Sequence, residues 1–444
     1  MMELSTTHIH VAETHLVDGS ELVLRAGSRE RDDRAALADL GDELDESGVE
    51  CRTAVRPSRT IRHTVARSTT YNIRHDAPPR MSTELGPGTV VEYLRGRDEM
   101  DLGSEATAER LGGGVSNSVL RVRTDPGCVV VKRPYPDLAV EREWPADVDR
   151  VHNEAAAARA YADALDRPAE RDRSGRGIER ARVPRVVFED HGSHTIGIGC
   201  APETATTWKH ELLDGHVDVR VATLVGRVLG AVHTTATGDV GLREAFASGR
   251  PFEQLRIDPY HRAVARRHPD VAGAIETEID RVTGVERTLV HGDYSPKNVL
   301  VDRPGTVGDD PDTGNTDADG EFEAWILDFE VAHWGDPAFD VAFMLNHLFI
   351  KSLYNHEHGE AYAEAAMAFR AAYRDAVEWE IERETVAELA VLMLARVDGK
   401  SPVEYVADGP VAEALRGVAK RALRSTPETV ADFAALVAEE RESL

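Results

Sequence analysis

The chain has 444 residues, of which 79 are Asp or Glu and 52 are Lys or Arg, so its formal net charge at pH 7 is −27. This charge argues against a basic nucleic-acid-binding face, while a hydrophobic content of 41% is enough for one large or two modest domains. No apolar run reaches the roughly 18 residues of a membrane-spanning helix, and no signal-peptide segment is recognisable, so a cytoplasmic protein is expected.

The composition also bears on environment and redox state. Six lysines stand against 46 arginines, and this acidic, lysine-poor composition is typical of a halophilic, archaeal proteome. The three cysteines, Cys51, Cys128 and Cys200, are scattered without a C-x-x-C pair. We therefore expect reduced thiols, with neither a zinc site nor a disulfide framework.

Residues 1–80 differ in composition from the rest of the chain. Residues 51–80 carry seven arginines and a single acid, Asp76, which gives this stretch a charge of +6 within a protein of −27. We hypothesise that Met81 is the native start. Residues 1–80 would then be either an upstream stretch wrongly assigned to the reading frame or a disordered extension. A basic regulatory tail is the alternative, and the intact mass of the native protein distinguishes the two.

The first motif is a glycine cluster before a short alternating strand, Val119–Val122. Glycine lets backbone amides approach phosphate oxygens closely, and hydroxyl side chains add further donors. The candidate phosphate-contacting residues are Gly112, Gly113, Gly114, Ser116, Asn117 and Ser118. A plain glycine-rich hairpin turn remains an alternative, because the cluster matches neither G-x-G-x-x-G nor a Walker A motif.

A lysine and a glutamate follow at the spacing of a kinase. Lys132 ends the β-branched run Cys128–Lys132, where a kinase places the lysine that pairs with nucleotide phosphates. Glu154 begins an alanine-rich helix and is the natural partner of Lys132, although an exposed helical glutamate is a common alternative. Residues 183–188 and 195–199 then read as strands. The backbone of Cys200–Thr206, at the crossover to a helical region, is expected to hold an adenine.

Residues 291–298 carry the strongest signal. Asp293 and Asn298 have the D-x-x-x-x-N spacing of a kinase catalytic loop. The apolar runs Val299–Val301 and Ala324–Leu327 predict a hairpin that brings Asn298 close to Asp328. Asp293 suits the role of proton acceptor, while Asn298 and Asp328, with Glu330 as an auxiliary, supply the oxygen ligands that Mg²⁺ prefers.

These residues resemble the aminoglycoside phosphotransferase and choline kinase family, small-molecule kinases with a protein-kinase-like fold. The resemblance spans roughly residues 85–410 and rests on the catalytic loop, on Asp328-Phe329-Glu330 and on Trp334–Asp340. It implies that Asp340 braces the catalytic loop. The chain lacks the D-F-G and A-P-E motifs of protein kinases, which argues against a protein substrate.

Alternatives to this interpretation remain. The stretch from Lys132 to Glu154 resembles methylthioribose kinases, although the Pro-Lys-Asn ending of the catalytic loop departs from their pattern. A methylthioribose or other sugar kinase is therefore one alternative, and a nucleotide-binding pseudokinase is another. The pseudokinase is disfavoured by the joint presence of five residues: Lys132, Glu154, Asp293, Asn298 and Asp328.

The final third predicts helices over 337–354, 359–378, 383–397 and 409–440. In the family fold such helices wall the acceptor pocket, so the candidates for substrate contact are Asn346, His347, Arg396, Asp398 and Lys400. We thus predict a two-lobed α+β fold with an N-lobe at 81–205 and a helical C-lobe at 206–444. It would use ATP and Mg²⁺ to phosphorylate a hydroxyl of a small molecule, as a monomer or homodimer that binds neither nucleic acid nor membrane.

Overall fold

A computed structural model describes the backbone of residues 13–15 and 21–23, and residues 85–444 except 98, 101, 104, 113–115, 126, 139–143, 167–177 and 305–320. The chain divides into two units, Met1–Pro78 and Pro79–Leu444. In the first unit, β1 (Glu13–His15) pairs antiparallel with β2 (Glu21–Val23). The hypothesis that Met81 is the native start lies outside the described residues.

The second unit begins with a five-stranded antiparallel sheet in the order β3-β4-β5-β8-β7. Its core is a small cluster centred on Leu120, Val131 and Phe188. The elements here are α1 (Pro87–Arg95), β3 (Thr107–Arg110), β4 (Asn117–Thr124), β5 (Gly127–Pro134), α2 (Arg150–Asp166), β6 (Ala181–Arg182), β7 (Val186–Asp190) and β8 (Thr195–Gly199).

The remainder of the unit is mostly helical. Its elements up to residue 335 are β9 (Thr206–Thr207), α3 (Trp208–Leu213), α4 (Val219–Ala236), α5 (Val240–Ala245), α6 (Arg250–Phe252), a π-helix (Glu253–Arg262), α7 (Ala263–Arg267), α8 (Ala272–Gly284), β10 (Thr288–Val290), a 3₁₀ turn (Pro296–Asn298), β11 (Val299–Asp302), β12 (Glu323–Ile326) and β13 (His333–Gly335). The C-terminal helices are α9 (Pro337–Tyr354), a 3₁₀ turn (His356–His358), α10 (Gly359–Ala376), α11 (Glu382–Asp398), α12 (Pro410–Arg424) and α13 (Val430–Arg441).

Two features of this region position the site. Helix α9 is buried along nearly its whole length, from Pro337 to Leu353, and forms the centre of the main core. Strands β11 and β12 form the predicted antiparallel hairpin, in which Val299 lies opposite Ile326. This register carries Asn298 and Asp328, which flank the paired residues, to the same end of the hairpin.

The predicted α+β class is confirmed, and three of the four C-terminal helices agree with prediction to within two residues. The predicted helix over 409–440 is wrong, because it is broken into α12 and α13. Pro427 falls in the break, and Thr429 caps α13 by accepting a hydrogen bond from the backbone N–H of Asp432. No helix in the described part of the chain is both long and apolar enough to cross a bilayer.

The expectation of reduced thiols is corrected by a disulfide between Cys128 and Cys200, whose Cα atoms are 5.6 Å apart. The two cysteines are 72 residues apart in sequence, so their spacing gave no sign of the pairing. They meet because β5 and β8 are antiparallel neighbours in which Val129 lies opposite Gly199. Cys51 lies outside the described residues.

Candidate active site

An ion cluster joins the strand lysine to the helix glutamate and to the hairpin aspartate. Lys132 Nζ lies 2.5 Å from Glu154 Oε1 and 2.7 Å from Asp328 Oδ1. The Lys132 and Glu154 side chains are buried, and the Asp328 side chain keeps 21% of its surface exposed. Strand β5, helix α2 and the end of β12 therefore deliver three predicted residues to one point.

Burial and charge oppose each other in this cluster. Burial disfavours the Lys132 ammonium, but Asp328 and Glu154 outweigh that effect and raise the pKa of Lys132 above its usual value. Burial acts against the Asp328 carboxylate too, yet Lys132 and Lys297 hold the pKa of Asp328 well below its usual range. Burial raises the pKa of Glu154 to about 7, against the opposing effect of Lys132. Lys132 therefore lies as a charged ammonium between two carboxyl groups, those of Glu154 and Asp328.

The backbone at Asp328 is in the left-handed region, with φ of +68°, which non-glycine residues seldom adopt. Such conformations persist only where surrounding contacts impose them. Here Leu327 N–H donates to the carbonyl of Asn298 at 2.9 Å, and His291 Nε2 lies 3.1 Å from the carbonyl of Leu327. Two backbone contacts thus fix the residue that precedes Asp328.

Asp293 is held by partners on both of its carboxylate oxygens. Asn298 donates its Nδ2 to Asp293 Oδ2 at 2.7 Å and to the Asp293 carbonyl at 2.9 Å. Arg256 Nη2 lies 2.7 Å from Asp293 Oδ1, while its Nε donates to the Gly292 carbonyl at 2.7 Å. Arg256 was not predicted from the sequence; it lies in the π-helix, a form that often marks functional sites.

Asp340, from the first turn of α9, braces the catalytic loop as the resemblance implied. Its two carboxylate oxygens accept backbone N–H groups of His291 at 2.7 Å and Gly292 at 2.8 Å, and His233 Nε2 lies 3.3 Å away. Gly292 has φ of +76°, and a Cβ there would meet the Val331 carbonyl at 2.6 Å. The loop conformation therefore requires glycine at this position.

Glu330 links the glycine cluster to α2. Its Oε2 accepts from Asn117 Nδ2 and from Arg150 Nε, each at 3.0 Å. Arg150, 1% exposed, also donates to the carbonyls of Ser116 at 2.6 Å and Tyr135 at 2.9 Å. Glu330 was predicted as an auxiliary metal ligand, but one of its oxygens is already shared by two donors. Arg150 is a second residue that sequence reasoning missed.

The predicted phosphate-contacting residues divide into three groups. Gly112, Ser116 and Asn117 line the cleft between the sheet and the catalytic loop. Ser118 does not line it, because side chains alternate along β4 and its hydroxyl contacts the Leu85 carbonyl and Arg110 instead. Gly113 and Gly114 lie outside the described residues.

The cleft has a volume of about 360 Å³, in the range of small-ligand sites. Lys132, Asn298 and Asp328 form its polar end. Its other walls are largely apolar and are lined by Val130, Ile198, Leu300 and Leu327. The segment predicted to hold an adenine, Cys200–Thr206, also lines the cleft, through Cys200, Ala201, Pro202 and Ala205. An apolar slot next to a charged end suits a planar base joined to phosphates.

The residues predicted to contact the acceptor are largely engaged in internal bonds. Asp398 accepts from Arg416 and faces His268, and Lys400 pairs with Asp258 at 2.9 Å. Arg396 Nη1 donates to Tyr260 Oη at 2.8 Å. The remaining two candidates, Asn346 and His347, are buried, and burial lowers the pKa of His347 well below its usual value.

Comparison with known families bears on this geometry. Residues 107–389, more than half of the chain, match the model of the phosphotransferase enzyme family abbreviated APH. The chain belongs to this family. The resemblance inferred from the catalytic loop is thereby confirmed, as is the expectation of a phosphotransferase. The comparison with curated proteins found no match for this chain.

Solved structures give weaker likenesses. A spectinomycin phosphotransferase in complex with ADP and spectinomycin is 12% identical, with 81% of this chain and 100% of that chain covered and a TM-score of 0.42. A choline/ethanolamine kinase family protein from Mesorhizobium loti is 18% identical, with 76% and 92% covered and a TM-score of 0.38. An amicoumacin kinase in complex with AMP-PNP and Ca²⁺ is 12% identical, with 74% and 91% covered and a TM-score of 0.43. None of the three TM-scores reaches 0.5, so these likenesses support no conclusion about function.

Proposed function

We propose that the protein transfers the γ-phosphoryl group of ATP to a hydroxyl of a small molecule in a Mg²⁺-dependent reaction. The observation that carries the proposal is that Lys132 pairs with Asp328 and Asn298 with Asp293, while one largely apolar cleft is lined by Lys132, Asn298 and Asp328. Phosphoryl transfer requires mainly positioning and charge neutralisation, which these residue types supply.

The donor set fits a hard divalent cation. Asn298 uses its Nδ2 on Asp293, which leaves its Oδ1 as the atom able to bind a metal, and Asp328 is ionised. Carboxylate and amide oxygens are the ligands of Mg²⁺. Asn298 and Asp328 would hold the ion, with Glu330 as a candidate auxiliary, and the bound ion would neutralise charge on the phosphates. Lys132, oriented by Glu154, would hold the nucleotide phosphates, and the residues that would cover them are Gly112, Ser116 and Asn117.

Asp293 would receive the proton of the acceptor hydroxyl as that oxygen attacks the γ-phosphorus and ADP leaves. Its side chain keeps 16% of its surface exposed, while Asn298 and Arg256 fix its orientation. The acceptor is a small molecule of the kind that family members phosphorylate, such as an aminoglycoside, a choline-like alcohol or a sugar. A methylthioribose-type sugar belongs to the same group of acceptors.

The test of this proposal replaces Asp293, the proposed general base. Asp293→Ala should lower kcat by roughly 10²–10⁴-fold while nucleotide affinity stays nearly unchanged, because a general base acts mainly in the transition state. The acceptor would first be found by screening metabolite extracts and alcohol panels for ATP-dependent consumption. Asp375→Ala, an exposed aspartate on α10, is the matched control. Turnover at the wild-type rate in Asp293→Ala would refute the assignment.

A further inference from the structure

A cluster of histidines and carboxylates lies outside the catalytic cleft, where the start of α2 meets the β7–β8 hairpin. It contains three of the chain's 18 histidines, together with Asp149 and Glu189. His152 lies in the first turn of α2, and the hairpin turn contributes the other two histidines, His191 and His194. The reaction proposed above uses none of these residues.

The ligand atoms of this cluster are close together. Asp149, His152 and His194 each offer one ligand atom within 4.8 Å of the other two, and the same holds for His152, Glu189 and His191. Ligands around a tetrahedral zinc ion lie about 3.4 Å apart, given bonds of roughly 2.1 Å. His194 and Asp149 keep 38% and 78% of their side-chain surface exposed, so they can make the remaining small adjustment.

His152 is arranged as metal-binding histidines usually are. Its Nδ1 lies 2.9 Å from Glu189 Oε1, and Arg159 also donates to Glu189, at 2.8 Å. A ligating imidazole typically donates its other ring N–H to such a carboxylate, which leaves the second nitrogen with its lone pair free.

That second nitrogen is unsatisfied. His152 Nε2 is buried and has no hydrogen-bond partner among the described residues. Buried polar atoms are normally paired, and an exception calls for a water or an ion. His194 Nδ1 lies 3.0 Å from Asp149 Oδ1 but not in hydrogen-bond geometry. His152 and His194 thus each have one buried ring nitrogen without a hydrogen-bond partner among the described residues.

The backbone of the turn brings His194 towards His152. His194 has φ of +48°, and it is one of two non-glycine residues with positive φ in the described part of the chain, the other being Asp328. This conformation turns the chain so that the His194 ring reaches the ring of His152, with centroids 5.6 Å apart. A strained backbone conformation held by its surroundings is frequent at ligand-binding sites.

We propose that Asp149, His152 and His194 bind one divalent transition-metal ion of the Zn²⁺, Co²⁺ or Ni²⁺ type, with Glu189 orienting His152. Imidazole and carboxylate ligands suit these ions, whereas Mg²⁺ prefers sites made of oxygen alone. The ring of His191 stacks on that of His152, with centroids 3.9 Å apart, and is not among these three ligands.

A metal ion bound at this proposed site would link α2 to the β7–β8 hairpin. Residues two apart on a helix point about 200° away from each other, so His152 faces the hairpin while Glu154 faces Lys132. The bound ion would therefore fix the helix turn that carries Glu154 without entering the catalytic cleft. This predicts that the metal stabilises the protein independently of nucleotide.

The experiment uses tag-free, full-length protein that has been treated with chelator and kept in excess Mg²⁺, so that oxygen-ligand sites are masked. Calorimetry with Zn²⁺ should show one saturable equivalent, Co²⁺ should give the visible absorption of a low-coordinate complex, and Zn²⁺ at 100 times its Kd should raise Tm by about 5 °C. The His152→Ala/His194→Ala variant should lose at least 100-fold in Zn²⁺ affinity. Glu189→Gln should lose about 10–100-fold.

His210→Ala is the matched control, because His210 is an exposed histidine beside a carboxylate, Asp214, on another helix. It should bind Zn²⁺ as the wild type does. Asp149→Asn changes an exposed side chain and tests the site even if the double variant does not fold; it should weaken binding at least 10-fold. Absence of saturable Zn²⁺ binding in the wild type would overturn the proposal, as would wild-type affinity in either the double variant or Asp149→Asn.

Discussion

Asp293, the proposed proton acceptor, illustrates how buried polar groups fix the position of one carboxylate. Asn298 and Arg256 each contact one of its carboxylate oxygens, and Asp340 holds the backbone of the two preceding residues. Arg256 is only 6% exposed, and a buried charge needs a close partner of opposite sign. Asp293 is that partner. Burial disfavours the guanidinium, but Asp293 and its neighbours outweigh that effect and raise the pKa of Arg256, which therefore stays charged.

Arg256→Lys should reduce kcat by about 10–100-fold while the KM for ATP changes little. Lysine keeps the charge but cannot reproduce the fork that joins Asp293 Oδ1, the Gly292 carbonyl and the Leu255 carbonyl. The loss should fall on kcat because the fork positions the base rather than the nucleotide. Steady-state kinetics with ATP and the identified acceptor measure it.

Arg243→Lys is the matched control, because Arg243 forms an exposed pair with Glu286 at 2.8 Å. Exposed pairs contribute little, so its kcat should equal that of the wild type. Thermal unfolding of both variants checks that the fold is retained. If Arg256→Lys kept the full kcat, Arg256 would be a packing residue rather than a positioning residue.

At the scale of elements, sequence patterns predicted the features that depend on residues close together in the chain. The spacing of Asp293 and Asn298, and the two apolar runs after them, were enough to place both residues near Asp328. Arg150 and Arg256 could not be predicted, because their partners lie far away in sequence and ordinary arginines are abundant here. The break between α12 and α13 could have been predicted from Pro427 and the Thr429–Asp432 capping pair, although apolar periodicity continues through it.

The pairing of β5 with β8 brings Cys128 and Cys200 together as a disulfide, and the contribution of this disulfide to stability can be predicted. Cys128→Ser/Cys200→Ser should destabilise the protein by roughly 2–4 kcal/mol, because the disulfide limits the unfolded chain across 72 residues. It also links β5 to the segment that lines the cleft at Cys200. Urea unfolding, read with and without reductant, measures the difference.

Reductant provides the internal control for this prediction. It should lower the stability of the wild type to the level of the double variant and leave the double variant unchanged. Cys51→Ser should behave as the wild type in both conditions, since neither cysteine of the pair is altered. Equal stability of the wild type with and without reductant would show that Cys128 and Cys200 are not paired in solution.

At the scale of the whole molecule, the dominant property is charge. The net charge of −27 makes the chain repel itself, and repulsion between exposed charges acts over the Debye length, about 10 Å at 0.1 M salt and 3 Å at 1 M. Short ion pairs such as Lys132–Asp328 are screened much less, because they are partly or fully buried. Salt should therefore relieve the repulsion while leaving the partly buried Lys132–Asp328 pair intact.

Raising KCl from 0.1 M to 1 M at pH 7.5 should increase Tm by several degrees, because most of the long-range repulsion is screened at the higher concentration. The same step near pH 5.1, the isoelectric point, supplies the control, since the net charge there is close to zero. The increase in Tm should be much smaller at that pH. Differential scanning calorimetry at both pH values gives the two shifts directly. Equal shifts would mean that salt acts through apolar burial or specific ion binding, and not through the net charge of the chain.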